Sequence, residues 1–95
     1  MKKIDLILEI YPDESFIQMD GLDEAIVGVT STYREGIECR HLVYSEDKII
    51  NIFVEEGMTA DEAMEFYEYN TVRALPYMGT GHPIIISNPF EDEQG

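Results

Sequence analysis

The stretch from Gly57 to Glu62 constrains the fold of this chain more than any other. Thr59 and Glu62 form a T-x-x-E capping box, which marks the first turn of a helix. Gly57, two residues earlier, suits the left-handed residue that ends a preceding helix. That helix is predicted to begin after Ser45, and apolar residues recur along it at i, i+3 and i+4 spacing. The sequence therefore predicts a helical hairpin with a short turn.

The flanking segments predict strands. "AIVGVTS" at 25–31 is short and β-branched, with Gly28 as a candidate bulge, and "IECRHLVY" at 37–44 alternates cleanly. A turn within 32–36 would join them as a hairpin. "PIIIS" at 83–87 reads as a buried strand, and 4–11 favours a short helix over a strand. The second helix of the helical hairpin should end at or before Leu75, because Pro76 follows.

These elements give the order (α)ββααβ. We expect an α+β fold, in which about three strands form a small sheet and the helical hairpin packs on one face. Residues 1–90 would form a single domain, and the acidic residues 91–95 a flexible tail.

The formal net charge of −14 on 95 residues restricts the partners. Phosphate contacts need Lys and Arg, so direct binding to nucleic acid or to an anionic membrane is not expected. No apolar run approaches the length of a membrane span, no signal peptide is recognisable, and the single cysteine suits a reducing, cytoplasmic setting. The charge either keeps the protein soluble or steers it onto a basic partner.

The helix after Thr59 has two faces of different character. On a helical wheel its apolar arc contains Ala60, Ala63, Met64, Phe66, Tyr67 and Ala74. Asn70 also falls in this arc, where its amide is expected to bond the backbone of the following loop. The opposite arc contains Asp61, Glu62, Glu65 and Glu68, and Tyr69 and Val72 fall among these acids. Three interpretations remain open: this side also packs, Tyr69 is an aromatic anchor ringed by charge, or the two apolar residues are surface without a role.

No catalytic or cofactor signature stands out. "GTGHP" at 79–83 lacks the helix and the lysine of a phosphate loop. His41 and His82, even with Asp20, Asp23 and Glu24, match no zinc or calcium spacing. Cys39 between apolar residues is more typical of packing than of a nucleophile. We expect no catalytic residues, no metal and no cofactor.

A ligand-binding module is the alternative interpretation. In this interpretation the segment 21–25, Tyr44 and the loop 77–82 converge on a small polar ligand or a signalling nucleotide. The candidate residues are Asp23, Glu24, Tyr44, Tyr77, Gly79 and His82. A homo-oligomer formed through Tyr69 and Val72 is a further alternative.

Four stretches carry a resemblance to a known family. They are "GLDEAIVGV" at 21–29, "LVYSEDKIINIF" at 42–53, "GMTADEAMEFYEYN" at 57–70 and "YMGTGHPIII" at 77–86. In these the chain resembles a family of small acidic proteins of bacteriophages and bacterial genomes, which supplies no settled activity and no catalytic residues. The resemblance implies a phage-type protein that binds and modulates or inhibits a host protein in the host cytoplasm. With the charge, it favours a target with a basic surface, such as a defence or nucleic-acid-handling factor. The contact would be made by Asp61, Glu62, Glu65, Glu68, Tyr69 and Val72.

Overall fold

A computed structural model of the chain describes residues 2–87. The regular elements are α1 (Lys3–Ile10), β1 (Ile26–Arg34), β2 (Ile37–Ser45), α2 (Glu46–Glu55), α3 (Ala60–Phe66) and β3 (Ile84–Ile86). A π-helical segment, Tyr67–Val72, continues α3, and two 3₁₀ turns occupy Asp23–Ala25 and Leu75–Tyr77. This order confirms the predicted α+β class. The acidic tail predicted for 91–95 lies outside the described residues.

The sheet is mixed, with strand order β1-β2-β3. β1 and β2 are antiparallel, whereas β3 runs parallel to β2 and pairs Ile84 with Val43. Parallel neighbours need a crossover connection, and here α2 and α3 lie in that connection. The helical hairpin is therefore the link that allows β3 to join the sheet.

The β1–β2 turn is shorter than the sequence predicted. Thr32, Tyr33 and Arg34 were assigned to a turn, but they are paired in β1, which runs three residues beyond the predicted end. Only Glu35 and Gly36 make the turn, with φ angles of 52° and 80°. Positive φ at both central residues is what a two-residue type I′ turn requires, and its twist lets the strands continue to the turn.

Gly28 marks a bulge, as predicted. Ile26 pairs with Tyr44 and Gly28 with Val43, so Val27 is the extra residue in β1. The bulge changes which side chains of β1 share a face with those of β2.

The core lies between the helices and one face of the sheet. Leu42 and Tyr44 of β2 are fully buried there with Ile49 of α2, and Ala63 and Tyr67 join them from the α3 side. The Tyr44 hydroxyl accepts a hydrogen bond from the Met19 backbone N–H at 3.0 Å. A tyrosine at the centre of the core is tolerated because its polar atom has a partner.

Both predicted helix boundaries of the hairpin are confirmed. Ser45 caps α2 by accepting from the Lys48 N–H at 3.4 Å. At the other end, the N–H of Gly57 donates to Val54 and that of Met58 to Phe53, which is a Schellman motif. Thr59 and Glu62 form the reciprocal capping box, with bonds of 2.9 and 3.1 Å. Local sequence thus determines where both helices stop and start.

The π-helical segment changes the face that α3 presents to the core. Its i→i+5 bonding turns the chain by less per residue than the ~100° of an α-helix. Thr71, which an α-helix would place at the edge of the apolar arc, is therefore carried into the core and buried. Asn70 is carried out to solvent, and its amide Nδ2 donates to the Phe66 carbonyl at 3.2 Å. The predictions that Asn70 lies in the core face and bonds the following loop are wrong, and Ala60 is also exposed.

Candidate functional site

The outer face of α3 and the π-helical segment form an acidic surface with apolar side chains in it. Asp61, Glu62, Glu65 and Glu68 are all exposed. Tyr69 among them is 59% exposed, and Val72 is exposed as well. We call this set of six residues the acidic face. Tyr33, Ile37 and Tyr77 are more exposed than Tyr69, which differs from them in lying on a helical face that carries four exposed acids.

The Tyr69 ring already interacts with a cation. The guanidinium carbon of Arg73 lies over it, 4.5 Å from the ring centroid. Four residues separate the two side chains, which places them on neighbouring turns of the same helical segment. One ring face is thus occupied by a guanidinium from the chain itself.

A shallow hollow of about 340 Å³ lies beside this ring. It is lined by Glu62, Glu65, Phe66, Tyr69 and Asn70, and we call it the acceptor hollow. Phe66, predicted to be in the core, is 41% exposed and forms one wall. Its ring also packs edge-on against Phe53 of α2, with centroids 5.0 Å apart, which fixes the position of that wall.

The inner side of the same helical segment is built differently. Tyr67 is only 4% exposed, and burial, with a hydrogen bond and the charge of Glu46, raises its pKa well above the ordinary tyrosine value. Glu46 also accepts from the Ser87 hydroxyl at 3.1 Å. Tyr67 therefore joins the core and the start of α2, whereas Tyr69 joins neither.

The six residues predicted for a ligand site do not gather in one place. The carboxylate of Asp23 accepts from the backbone N–H groups of Lys3 and Ile4, at 2.8 and 3.1 Å, and so caps α1 from a distance. Glu24 is exposed, and its carbonyl accepts from the Lys3 ammonium. Tyr44 is buried in the core, and Tyr77 is 90% exposed. Only Gly79 and His82 line a substantial cavity.

That cavity is an open groove of about 650 Å³ beside the β-hairpin end. We call it the hairpin groove; it is lined by residues 32–35, 37, 39, 41, 79–82 and 84. Ile37, Cys39 and His41 share the strand face opposite Leu42 and Tyr44, so the groove lies on the far side of β2 from the core. Gly81 lies beside Cys39, since a Cβ at this residue would be in van der Waals contact with the Cys39 sulfur at 3.5 Å.

His41 has a structural position at the groove. It is buried, its Nδ1 lies 2.8 Å from the His82 carbonyl, and its Nε2 lies 2.8 Å from the Thr32 hydroxyl. A carbonyl only accepts, so Nδ1 carries the proton and Nε2 accepts from Thr32. The imidazole thus ties β1 and β2 to the loop that leads into β3.

The contact between His41 and His82 was not predicted. Their rings lie 5.7 Å apart, although 41 residues separate them in the chain. The pairing depends on the parallel register of β3, which no local pattern reveals. Within residues 2–87, no group of three or more His, Cys, Asp or Glu side chains is arranged to hold a metal ion.

Within the same described range, none of the helices has the length and apolar content of a membrane span.

Comparison of the chain with protein-family models, with curated proteins and with solved structures found no match. The acidic face and the hairpin groove are therefore the two candidate sites of this chain.

Proposed function

We propose that this protein acts by binding a partner protein that has a basic surface, and that the acidic face is the contact. The protein would be of phage type and non-enzymatic, and would modulate or inhibit a host factor in the host cytoplasm. The phage assignment rests on the family resemblance of the sequence. The contact assignment rests on the acidic face.

The exposure of Tyr69 is the observation that carries the proposal. Interface hot spots are enriched in tyrosine because it offers a large contact area, few rotatable bonds and a polar tip. Tyr69 has these properties at an exposed position, with Val72 beside it and carboxylates around it. Solubility alone would favour charged side chains at both positions.

The net charge supports the same partner chemistry. At −14, the protein generates a negative potential that accelerates encounter with a cationic surface and slows encounter with an acidic one. Such steering weakens as salt shortens the screening length from ~10 Å at 0.1 M to ~3 Å at 1 M. Association should therefore slow steeply as the ionic strength rises.

Affinity capture from a bacterial lysate with two charge variants tests the proposal. The first variant is Asp61→Asn/Glu65→Gln/Glu68→Gln, which keeps Glu62 because that residue belongs to the capping box. The second is Glu9→Gln/Asp13→Asn/Glu55→Gln, in which the three exposed acids lie outside α3. Each variant loses three negative charges, so the two differ only in where on the surface the charges are removed.

We expect a partner that is captured by the wild type and the control at low salt and released at high salt. The acidic-face variant should bind it about threefold more weakly or worse, since each of the three exposed ion pairs is worth ~0.2–1 kcal/mol. Equal capture by the two variants, or capture indifferent to salt, would contradict the proposal.

The hairpin groove supports a second candidate function, the binding of a small polar ligand. Its volume falls within the ~300–1,000 Å³ range of ligand sites. Gly79 and His82, both named from the sequence, line it together with apolar and hydroxyl side chains. His82 directs its Nδ1 to the Pro83 carbonyl at 2.8 Å, so its Nε2 is the ring acceptor.

A thermal-shift screen of metabolites and nucleotides, run on the wild type and on Gly81→Val, tests this candidate. The valine would narrow the groove beside Cys39 and is expected to abolish any ligand-induced rise in Tm. Because Gly81 has a φ of 88°, the variant must first be shown to be folded. If a ligand raised the Tm of both proteins equally, its site would lie outside the hairpin groove.

A further inference from the structure

We infer that the acceptor hollow is a socket for an arginine side chain of the partner. This inference rests on the proposed function and specifies the chemistry of its contact. The hollow is lined by two aromatic residues, Phe66 and Tyr69, and by Glu62, Glu65 and Asn70.

The polar lining of the socket offers acceptors. Asn70 uses its amide nitrogen on the Phe66 carbonyl, so its Oδ1 remains as an acceptor. Glu62 uses one carboxylate oxygen on the Thr59 N–H and keeps the other. Among residues 2–87, no ion pair neutralises Glu62 or Glu65. A group that carries donors and positive charge complements this lining, whereas an anion or a carbonyl does not.

The aromatic walls favour guanidinium over ammonium. A guanidinium is planar, stacks on aromatic rings and presents several N–H donors in its plane to carboxylates. Arg73 shows that the Tyr69 ring accepts such a group, at 4.5 Å. Arg73 does not line the hollow, which leaves the hollow open to an arginine from outside.

The negative net charge makes a second copy of this chain an unfavourable occupant of the acceptor hollow. Two copies would each bring −14 to the contact, and the chain has only six Lys and Arg in all. Of these, Arg40 is paired with Glu14 and Arg73 with Tyr69. A cationic partner removes this repulsion and adds attraction.

NMR titration with synthetic peptides tests the socket without knowledge of the partner. The probes are a short capped peptide of alternating glycine and arginine and the same peptide with lysine, at low ionic strength. The proteins are the wild type, Glu65→Gln, Tyr69→Leu and the control Glu55→Gln, which removes an exposed carboxylate from α2. Tyr69→Leu keeps an apolar side chain but removes the aromatic face.

We expect saturable shifts centred on Phe66, Tyr69 and Asn70, and tighter binding of the arginine peptide than of the lysine peptide. Glu65→Gln and Tyr69→Leu should each raise the Kd of the arginine peptide about threefold or more. Glu55→Gln should change it less than twofold. Shifts spread evenly over acids of α1, α2 and α3, or equal effects of the Glu65 and Glu55 variants, would overturn the socket, as would self-association that produces the same shifts.

The two proposals fail separately. A socket that binds the arginine peptide stands even if no lysate protein depends on the acidic face, and the proposed function then falls. A partner that depends on the acidic face, combined with no arginine preference and no effect of Tyr69→Leu, retains the proposed function and removes the socket.

Discussion

Tyr67 and Tyr69 lie two residues apart in one helical segment, yet they occupy opposite environments. Tyr67 is buried in the core, and its pKa is raised by burial and by the nearby carboxylate of Glu46. Tyr69 stands at the surface, surrounded by carboxylates and stacked with Arg73. The contrast indicates that one side of the segment stabilises the fold and that the other is available for binding.

The π-helical turn sharpens this division. By burying Thr71 and exposing Asn70, it places a small hydroxyl in the core and an amide acceptor at the acceptor hollow. π-Helical turns interrupt regular hydrogen bonding and are found frequently at functional sites. Substitutions that alter the inner side should change the stability, and substitutions that alter the outer side should change binding. The largest expected effect comes first.

Tyr67→Ala should have the largest effect. It removes a large buried ring from the core. Truncation of a buried aromatic costs about 3–5 kcal/mol, and we expect a loss of that size in the free energy of unfolding. Urea denaturation followed by circular dichroism measures it. A loss below about 1 kcal/mol would contradict the assignment of Tyr67 to the core.

Alkaline pH should have the second largest effect, because it lowers the free energy of unfolding through the buried Tyr67. The pKa of Tyr67 is raised in the folded protein, so above about pH 10 the unfolded chain releases a proton that the folded chain retains. The free energy of unfolding then falls as pH rises, by up to about 1.4 kcal/mol per pH unit for each such tyrosine.

Tyr67→Phe provides the control for this pH dependence. It removes one of the two buried hydroxyls whose pKa is raised, while Tyr44 keeps the other. Denaturation between pH 9 and 11 should therefore show a shallower decline for the variant than for the wild type. Parallel declines would show that Tyr67 does not contribute.

Thr59→Ala should cost about 1 kcal/mol, a typical value for the loss of an N-cap. The hydroxyl accepts the Glu62 N–H, which loses its partner in the variant. Thr59→Ser, which keeps the hydroxyl, should remain close to the wild type in thermal denaturation. Equal losses in both variants would show that the methyl group and not the cap is responsible.

Sequence patterns predicted the boundaries of the helical hairpin because its caps are local. Ser45, Gly57, Thr59 and Glu62 bond groups within five residues of themselves, so their spacing alone specifies the geometry. The bulge at Gly28 belongs to the pairing of β1 with β2, and a glycine within a strand predicted only a bulge or a close neighbour there. β1 is three residues longer than predicted. The positive φ angles at Glu35 and Gly36 confine the turn to two residues, and no sequence pattern specifies those angles.

Features that depend on distant residues were not predictable. Asp23 caps α1 across about twenty residues, and His41 meets the loop before β3 across forty-one. The hairpin groove exists only because β3 pairs parallel to β2. The π-helical turn also has no recognised sequence signature, so a helical wheel at α-helical spacing placed Asn70 in the apolar arc.

The substitution Tyr69→Ala tests the central claim most directly, through its affinity for the partner captured at low salt. We predict a loss of affinity of at least about tenfold, as expected for an interface hot spot, with the free energy of unfolding changed by less than about 0.5 kcal/mol. Unchanged affinity would contradict the assignment of Tyr69 to binding. A loss of more than about 2 kcal/mol in stability would equally contradict it, because Tyr69 would then belong to the fold.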